Sequence, residues 1–224
     1  MPNNTSVVKF AVCLFDDVAT LDYQGPVELF GFLSKKALTR RNWFSPYEFE
    51  FTYLAPSRDP VIPMSGPPAV PHKAYGEVDA GEQFDVLLIP GGLGTRPSHR
   101  PESLLEFVRK QTPGAKYVLT VCTGSYILAQ AGVFDGRRGT TNKAAFKEIK
   151  NDTAGLPVTW VPKARWVVDG KFWTSSGITA GMDMANAFLE FLVGSEITQK
   201  IRGIAEFSAK EEGEDEFAEF YGLV

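Results

Sequence analysis

The sequence is poor in the side chains that form disulfides or bind metals. Its 224 residues include two cysteines, Cys13 and Cys122, and two histidines, His72 and His99. These four residues are too scattered along the chain to have the spacing of a zinc site, so we expect no bound metal. Both cysteines lie in apolar, strand-like segments, which is typical of reduced thiols in a cytosolic protein rather than of a disulfide framework.

Basic charge and long apolar runs are also scarce. The formal net charge is −4, so the chain has no excess of lysine and arginine with which to bind nucleic acid. No apolar run is long enough to cross a membrane, and residues 1–6 lack the basic start and apolar stretch of a signal peptide. We therefore expect a cytoplasmic protein that binds neither nucleic acid nor a membrane.

The length and composition favour one domain. Of the 224 residues, 44% are hydrophobic and 22% charged, which is an ordinary globular balance in a chain long enough to bury a sizeable core. We predict a single domain over residues 1–224, with its core at about residues 7–207 and a C-terminal tail from residue 210. No phosphate-binding loop or dinucleotide fingerprint is present, so we expect no cofactor.

Apolar runs and amphipathic segments alternate along the chain. Runs of β-branched and aromatic residues predict strands at residues 7–15, 47–55, 84–90 and 116–121. Helices are predicted at residues 27–33, where Pro26 would lie near the first turn, and at 101–111, 125–131, 144–150, 181–193 and 196–207. Asp169-Gly170 predicts a hairpin of type I′ between residues 165–168 and 171–175.

This alternation predicts an α/β fold with a mostly parallel sheet, helices on both faces and a small hairpin. In such sheets, ligands bind at the carboxyl ends of the strands. Three segments bring chemically useful groups to that edge. They are the end of the first strand, the turn after Pro90 and the turn at Cys122.

Cys122 follows an apolar strand directly and precedes a predicted helix. Such a junction forces a residue into a strained and accessible conformation, and Gly124 gives the backbone the freedom to turn. The helix N-terminus favours a thiolate over a thiol. These features indicate a reactive cysteine, although a buried core cysteine fits the same local sequence. Cys13 lies within a strand with no turn beside it and is predicted to pack in the core.

Two further features lie at the same sheet edge. Gly91 and Gly92 follow a buried strand and expose amides that, with that of Thr123, would stabilise negative charge on a substrate; a tight turn that needs glycine is the alternative. Asp22 follows the first strand. A carboxyl held against a thiolate becomes protonated and can then donate a hydrogen bond or a proton to it, whereas a helix N-cap is the alternative for Asp22.

Taken together, these motifs resemble the ThiJ/PfpI superfamily, the class I glutamine amidotransferase-like group. Within it, Leu-Asp-x-x-Gly-Pro, Val-Cys-Thr-Gly-Ser and Gly-Ile-Thr-Ala-Gly-x-Asp are most similar to the isocyanide (isonitrile) hydratase branch. The resemblance runs in order from about Lys9 to about Val193. The matching segments are FAVCLFDDVATLDYQGPVELF, DVLLIPGGLG, YVLTVCTGSYILAQAGVFDGRRGTTNKAAF and WTSSGITAGMDMANAFLEFLVG.

The resemblance implies a flavodoxin-like three-layer sandwich, a homodimer and a small electrophilic substrate. It also implies that Cys122 is the nucleophile, that Asp22 is the carboxyl hydrogen-bonded to it, and that Thr123 matches the residue after the nucleophile in the hydratases. The remaining matches are Gly91 and Gly92 in the turn beside the sulfur, and Ile178, Thr179, Ala180 and Gly181 in a segment that closes over the pocket.

One position departs from the family pattern. Many members carry a histidine after a Thr-Thr pair, but here Thr140 and Thr141 are followed by Asn142. His72 and His99 lie in proline-rich loop sequence, where we expect them to be solvated. A cysteine–histidine dyad is therefore not expected, which weakens the glyoxalase and protease hypotheses more than the hydratase hypothesis.

The favoured function is cysteine-dependent hydration of isocyanides to N-substituted formamides through a covalent thioimidate, a cofactor-independent lyase (hydro-lyase) reaction. Two alternatives stay open. One is a glyoxalase or deglycase that acts on methylglyoxal or its adducts through Cys122. The other is a non-catalytic redox-sensing stress protein in which Cys122 oxidises to a sulfinate stabilised by Asp22.

Overall fold

The computed structural model describes residues 5–224, in which strands and helices alternate. The strands are β1 (Ser6–Cys13), β2 (Tyr47–Ala55), β3 (Lys73–Ala74), β4 (Val86–Ile89), β5 (Tyr117–Thr120), β6 (Arg138–Gly139), β7 (Thr159–Trp160), β8 (Trp166–Asp169) and β9 (Phe172–Ser175). The helices are α1 (Thr20–Gly31), α2 (Lys35–Arg41), α3 (Glu102–Gln111), α4 (Gly124–Gln130), α5 (Phe146–Asp152), α6 (Ile178–Val193), α7 (Ser195–Ala205) and α8 (Phe217–Phe220).

Seven strands form the main sheet, in the order β3-β2-β1-β4-β5-β9-β8. Its neighbours pair in parallel except for β8 and β9, which form the predicted antiparallel hairpin. Without the short strands, the parallel order corresponds to the 2-1-3-4-5 arrangement of flavodoxin-like folds. The predicted α/β class is therefore confirmed. The strand order reverses between β1 and β4, and ligands bind at such a point in these folds.

Helices cover both faces of the sheet, because its central strands are apolar on both sides. Every residue of β4 is buried. On one face α1 packs against α6, and Phe30 and Phe188 meet edge to face with ring centroids 5.9 Å apart. On the other face, Phe107 of α3 lies against Phe84 at 6.1 Å. Within residues 5–224, no helix combines the length and the apolarity that crossing a bilayer requires.

Helix α1 begins earlier than the sequence predicts. The predicted helix started at residue 27, whereas α1 starts at Thr20 and contains Pro26 in its interior. An interior proline costs about 3 kcal/mol. Burial of Leu29 and Phe30, each contributing about 1.5–3 kcal/mol, offsets that cost. The earlier start places Asp22 in the first turn of the helix, which follows the C-terminal end of β1.

The turn of the β8–β9 hairpin differs from the predicted type. Asp169 pairs with Phe172, so the two loop residues are Gly170 and Lys171 rather than Asp169 and Gly170. Gly170 has a φ of 60°, and Lys171 does not share its positive φ. A glycine at the first of two loop positions is typical of a type II′ turn, whereas type I′ requires positive φ at both.

Candidate active site

Cys122 forms a strained turn between β5 and α4. Its φ is 58°, a left-handed value that is uncommon for residues other than glycine and recurs at functional sites. Hydrogen bonds from distant segments of the chain help to hold the turn. The Cys122 amide donates to the Ser176 carbonyl at 2.7 Å, and the Cys122 carbonyl accepts from the Thr141 hydroxyl at 3.1 Å. The sharp turn that the sequence predicts is therefore present, clamped by residues that sequence reasoning did not identify.

The glycines around the turn lie so close to neighbouring atoms that a side chain would not fit. A Cβ on Gly91 would lie 2.5 Å from the Thr123 nitrogen and 2.8 Å from the Cys122 Cβ. A Cβ on Gly124 would collide with the carbonyl oxygen of Ile89. Real Cβ contacts are longer than these, so only glycine lets the β4 turn and the start of α4 approach this closely. These glycines bring the end of β4 against the nucleophile turn.

The amides of Gly91 and Gly92 are occupied within the protein. The Gly91 amide donates to Asp22 Oδ2 at 3.0 Å, and the Gly92 amide donates to Thr123 Oγ1 at 3.0 Å. The sequence-based expectation was that both amides face a substrate. Here they instead orient the carboxyl and the threonine, so the turn acts on the site through these two side chains.

The two ends of Thr123 have different roles. Its hydroxyl, besides accepting from Gly92, lies 2.9 Å from the Thr95 hydroxyl and 3.2 Å from the Gly92 carbonyl. This network fixes the loop after β4. The Thr123 amide is directed at the Cys122 sulfur and lowers the pKa of the thiol. Thr123 therefore donates to the Cys122 sulfur through its backbone amide and not through its hydroxyl.

Asp22 is fully buried, and its carboxyl interacts with the Cys122 thiol. Burial raises the pKa of Asp22 to about 7, against the opposing effects of the hydrogen bonds from Gly91 and Cys122. Among the described residues, Oδ1 has no well-aligned hydrogen-bond partner, and a protonated carboxyl tolerates this better than a carboxylate. The helix N-cap alternative is wrong, because Ala19 occupies that position.

Burial, and after it the negative charge of Asp22, raises the pKa of the Cys122 thiol to about 12. Sequence reasoning expected the start of α4 to favour the thiolate. That expectation is wrong for the resting site, because Cys122 is only 9% exposed and desolvation disfavours a charged sulfur. Above pH 7 and below the pKa of the thiol, Asp22 and Cys122 therefore share one proton, and they titrate as a pair.

Asn142 supplies a second donor to the sulfur. Its Oδ1 accepts from the amides of Ala144 at 2.9 Å and Ala145 at 3.3 Å. Because both of those partners are donors, Oδ1 is fixed and Nδ2 is the group directed at Cys122, where its hydrogen bond lowers the pKa of the thiol. The sequence identified this position only as a departure from the family pattern and did not assign it a contact.

The Cys122 sulfur opens into a cavity of about 330 Å³. An ion pair between Arg96 and Glu148, 3.0 Å long and partly exposed, lies on its wall. Ile178, in the first turn of α6, also lines it, whereas Thr179 does not. The remaining wall is largely apolar and is made by Ala19, Met64, Leu93, Ala144 and Ala145. The cavity therefore offers a small molecule a largely apolar wall with one ion pair beside it.

The other candidate residues lie away from this cavity. Cys13 is fully buried in β1 and its pKa is raised by burial, which agrees with a core role. His72 accepts from the Tyr53 amide at 3.2 Å, and His99 lies beside Ser98. Within residues 5–224, no group of three acidic, histidine or cysteine side chains is placed to hold a metal ion.

Comparison with known proteins gives matches along most of the chain. A sequence model of the DJ-1/PfpI family matches residues 8–191. The chain is 40% identical to an isonitrile hydratase of Pseudomonas putida over 119 residues, which are 53% of this chain and 50% of that relative. It is 39% identical to a deglycase of Pyrococcus abyssi over 105 residues, which are 47% of this chain and 59% of that relative.

A solved structure of a ThiJ/PfpI family protein from Pseudomonas syringae is also similar. It has a TM-score of 0.76 at 25% sequence identity, and the match covers 92% of this chain and 78% of that one. The chain spans about half the length of the curated relatives it matches. The family match over residues 8–191 includes the turns around Cys122.

Proposed function

Since the chain belongs to the DJ-1/PfpI family, which includes enzymes, we propose that it hydrates isocyanides to N-substituted formamides with Cys122 as nucleophile. The observation that carries this proposal is the pairing of a cavity-lining thiol with a buried carboxyl whose pKa is raised to about 7. Such a carboxyl gives and takes a proton near neutral pH. The similarity to an isonitrile hydratase supports the same reaction.

The first half of the proposed reaction uses the shared proton. Proton transfer from the thiol to Asp22 gives a thiolate and a carboxylic acid, with Asn142 and the Thr123 amide donating to the sulfur. The thiolate attacks the terminal carbon of the isocyanide and forms a C–S bond. Asp22 then delivers its proton to the same carbon. The product is a neutral thioimidate, R–N=CH–S–Cys122, and Asp22 is ionised.

The second half consumes one water molecule. Ionised Asp22 accepts a proton from water as the oxygen attacks the thioimidate carbon, and then passes that proton to the nitrogen, which leaves Asp22 ionised again. The C–S bond then breaks as the C=O bond forms, which releases the formamide R–NH–CHO. One water proton ends on nitrogen and the other returns to the Asp22–Cys122 pair. The pair therefore starts and finishes each cycle with one proton.

The direct test is to incubate the purified protein with cyclohexyl, benzyl and phenyl isocyanides and to follow formamide formation by proton NMR. We expect catalytic turnover with at least one of them. We also expect one thiol per chain to react with a thiol reagent in the folded protein. Absence of turnover with all three, while Cys122 still reacts with the thiol reagent, would refute the proposal.

The deglycase relatives suggest a second reaction at the same cysteine, on methylglyoxal or its adducts. Asn142 argues against it, because an amide cannot act as a base where many family members carry a histidine. Cofactor-free lactate formation from methylglyoxal, at a rate above that of isocyanide hydration, would favour the deglycase alternative. The redox-sensor alternative needs the same Cys122 thiolate as the hydration, so the raised pKa of the thiol does not distinguish the two.

Replacing Asn142 by alanine is expected to lower kcat/KM for isocyanide hydration by about 10- to 100-fold, the loss typical of one charge-assisted donor. The same change raises the pKa of the thiol, because the amide no longer stabilises the thiolate. Rates of Cys122 alkylation measured between pH 7 and 10 would record that shift.

The matched control for Asn142→Ala is Asn142→Asp. It keeps the acceptor for the Ala144 and Ala145 amides but has no donor for the sulfur. If Asn142→Asp were as active as the original protein, donation from Asn142 to the sulfur would have no part in catalysis.

A further inference from the structure

We propose that a second cavity beside the Cys122 cavity is the subsite for the substituent on the isocyanide nitrogen, and that it takes uncharged aromatic or bulky aliphatic groups. This inference rests on the proposed function, because the substituent is defined by the isocyanide. The cavity measures about 260 Å³, and the C-terminal residues Phe217 and Tyr221 form part of its wall.

The two cavities are adjacent and share part of their walls. Asn142, Ala144 and Ile178 line both of them. A linear R–N≡C group whose carbon reaches the Cys122 sulfur must extend its substituent away from the sulfur. Asn142, which donates to that sulfur, is also a boundary residue of the second cavity, so a substituent passing it enters the space against Phe217 and Tyr221.

Buried ion pairs fix the part of the tail that builds this wall. Asp215, just before α8, pairs with Lys143 at 3.1 Å, and both side chains are at most 3% exposed. Asp215 also accepts from the Ala164 amide at 3.0 Å. Lys143 directly follows Asn142 in sequence, so the tail is anchored next to the residue that contacts the sulfur. These contacts place the start of the tail beside the Cys122 site.

A second buried pair supports the floor of the cavity. Arg165 pairs with Asp183 of α6 and also donates to the Thr179 hydroxyl at 3.2 Å. The Lys210 amide donates to the other oxygen of Asp183 at 2.9 Å. Thr179, predicted to lie in a segment that closes over the pocket, thus lines this second cavity rather than the Cys122 cavity.

The charges of these pairs select against a charged occupant. Lys143 and Arg165 line the cavity, and each is paired with a buried carboxylate that is not part of the lining, so neither cation is free to pair with a carboxylate on a ligand. Among residues 5–224, no acidic side chain lines the cavity to pair with an ammonium. Phe217 and Tyr221 remain 45% and 41% exposed, which leaves aromatic surface that a ligand can cover. The matching ligand is an uncharged aromatic or aliphatic group.

The test compares alkylation of Cys122 by iodoacetamide and by N-benzyl iodoacetamide. Both reagents react with the same sulfur. The rate with N-benzyl iodoacetamide divided by the rate with iodoacetamide is therefore independent of thiol ionisation and reports on binding of the benzyl group. We expect the ratio to fall by about tenfold in Phe217→Ala and in Tyr221→Ala, the effect of losing an aromatic contact of about 1.4 kcal/mol. Phe217→Leu, which preserves apolar bulk, should give an intermediate ratio.

Phe220→Ala is the matched control, because Phe220 lies on the same short helix but is 77% exposed and outside the cavity wall. Its ratio should equal that of the original protein. An unchanged ratio in both Phe217→Ala and Tyr221→Ala, with intact folding by circular dichroism, overturns the subsite. If the ratio falls but no isocyanide is turned over, the subsite stands and the proposed hydration fails.

Discussion

Replacement of Cys122 by alanine is expected to reduce isocyanide turnover by about 10⁴-fold or more, the size of effect seen when a catalytic nucleophile is removed. No other thiol lines the described cavity, and Cys13 is fully buried in β1. The measurement is kcat/KM for formamide formation, together with trapping of the thioimidate as a mass increase equal to that of one isocyanide. That adduct should form on Cys122 and be absent from the alanine variant.

The control for this loss is Cys13→Ala. It removes the other thiol, in a strand away from the cavity, and should leave kcat/KM within about twofold while costing roughly 1 kcal/mol of stability through a small void. Comparable urea unfolding midpoints for the two variants would separate loss of chemistry from loss of fold. Turnover that survives in Cys122→Ala and vanishes in Cys13→Ala would mean that the reactive thiol has been misidentified.

Much of the fold is predictable because burial leaves a periodic trace in the sequence. The apolar runs that became β1, β4 and β5 are hydrophobic on both faces, and this feature alone specifies a covered parallel sheet. The start of α1 was missed because Pro26 is a local boundary signal, while the compensating contact of Phe30 with Phe188 is distant in sequence. The local pattern carries no information about that contact.

The candidate site divides in the same way. The glycines and the strand-to-helix junction indicate the turn at Cys122, and the sheet topology brings Asp22 close to it. The predicted shift of the thiol pKa had the wrong sign. The end of a helix can be identified in the sequence, whereas desolvation depends on all the groups packed around the sulfur. The contact of Asn142 was also missed, because it depends on the amides of Ala144 and Ala145 fixing the side chain.

Replacement of Asp22 by asparagine is expected to have opposite effects on turnover and on thiol reactivity. The amide can still accept from Gly91 and donate to the sulfur, but it cannot deliver a proton to carbon or take one from water. We therefore expect hydration to fall by about 10²- to 10⁴-fold. At pH 8, alkylation of Cys122 by iodoacetamide should become faster, because the charge of Asp22, one cause of the raised thiol pKa, is gone.

Damage to the site would lower both rates, so the opposite signs identify the role of the carboxyl. Glu28→Gln, an exposed change on the same helix, is the control and should alter neither. Stability gives an independent readout. Folding raises the pKa of Asp22 from its ordinary 3.8 to about 7, so its contribution is fully present below pH 4 and is lost as the pH rises to 7. The asparagine variant should lack that loss. If urea unfolding gives the two proteins the same pH dependence between 4 and 7, Asp22 does not hold the proton that the proposed reaction requires.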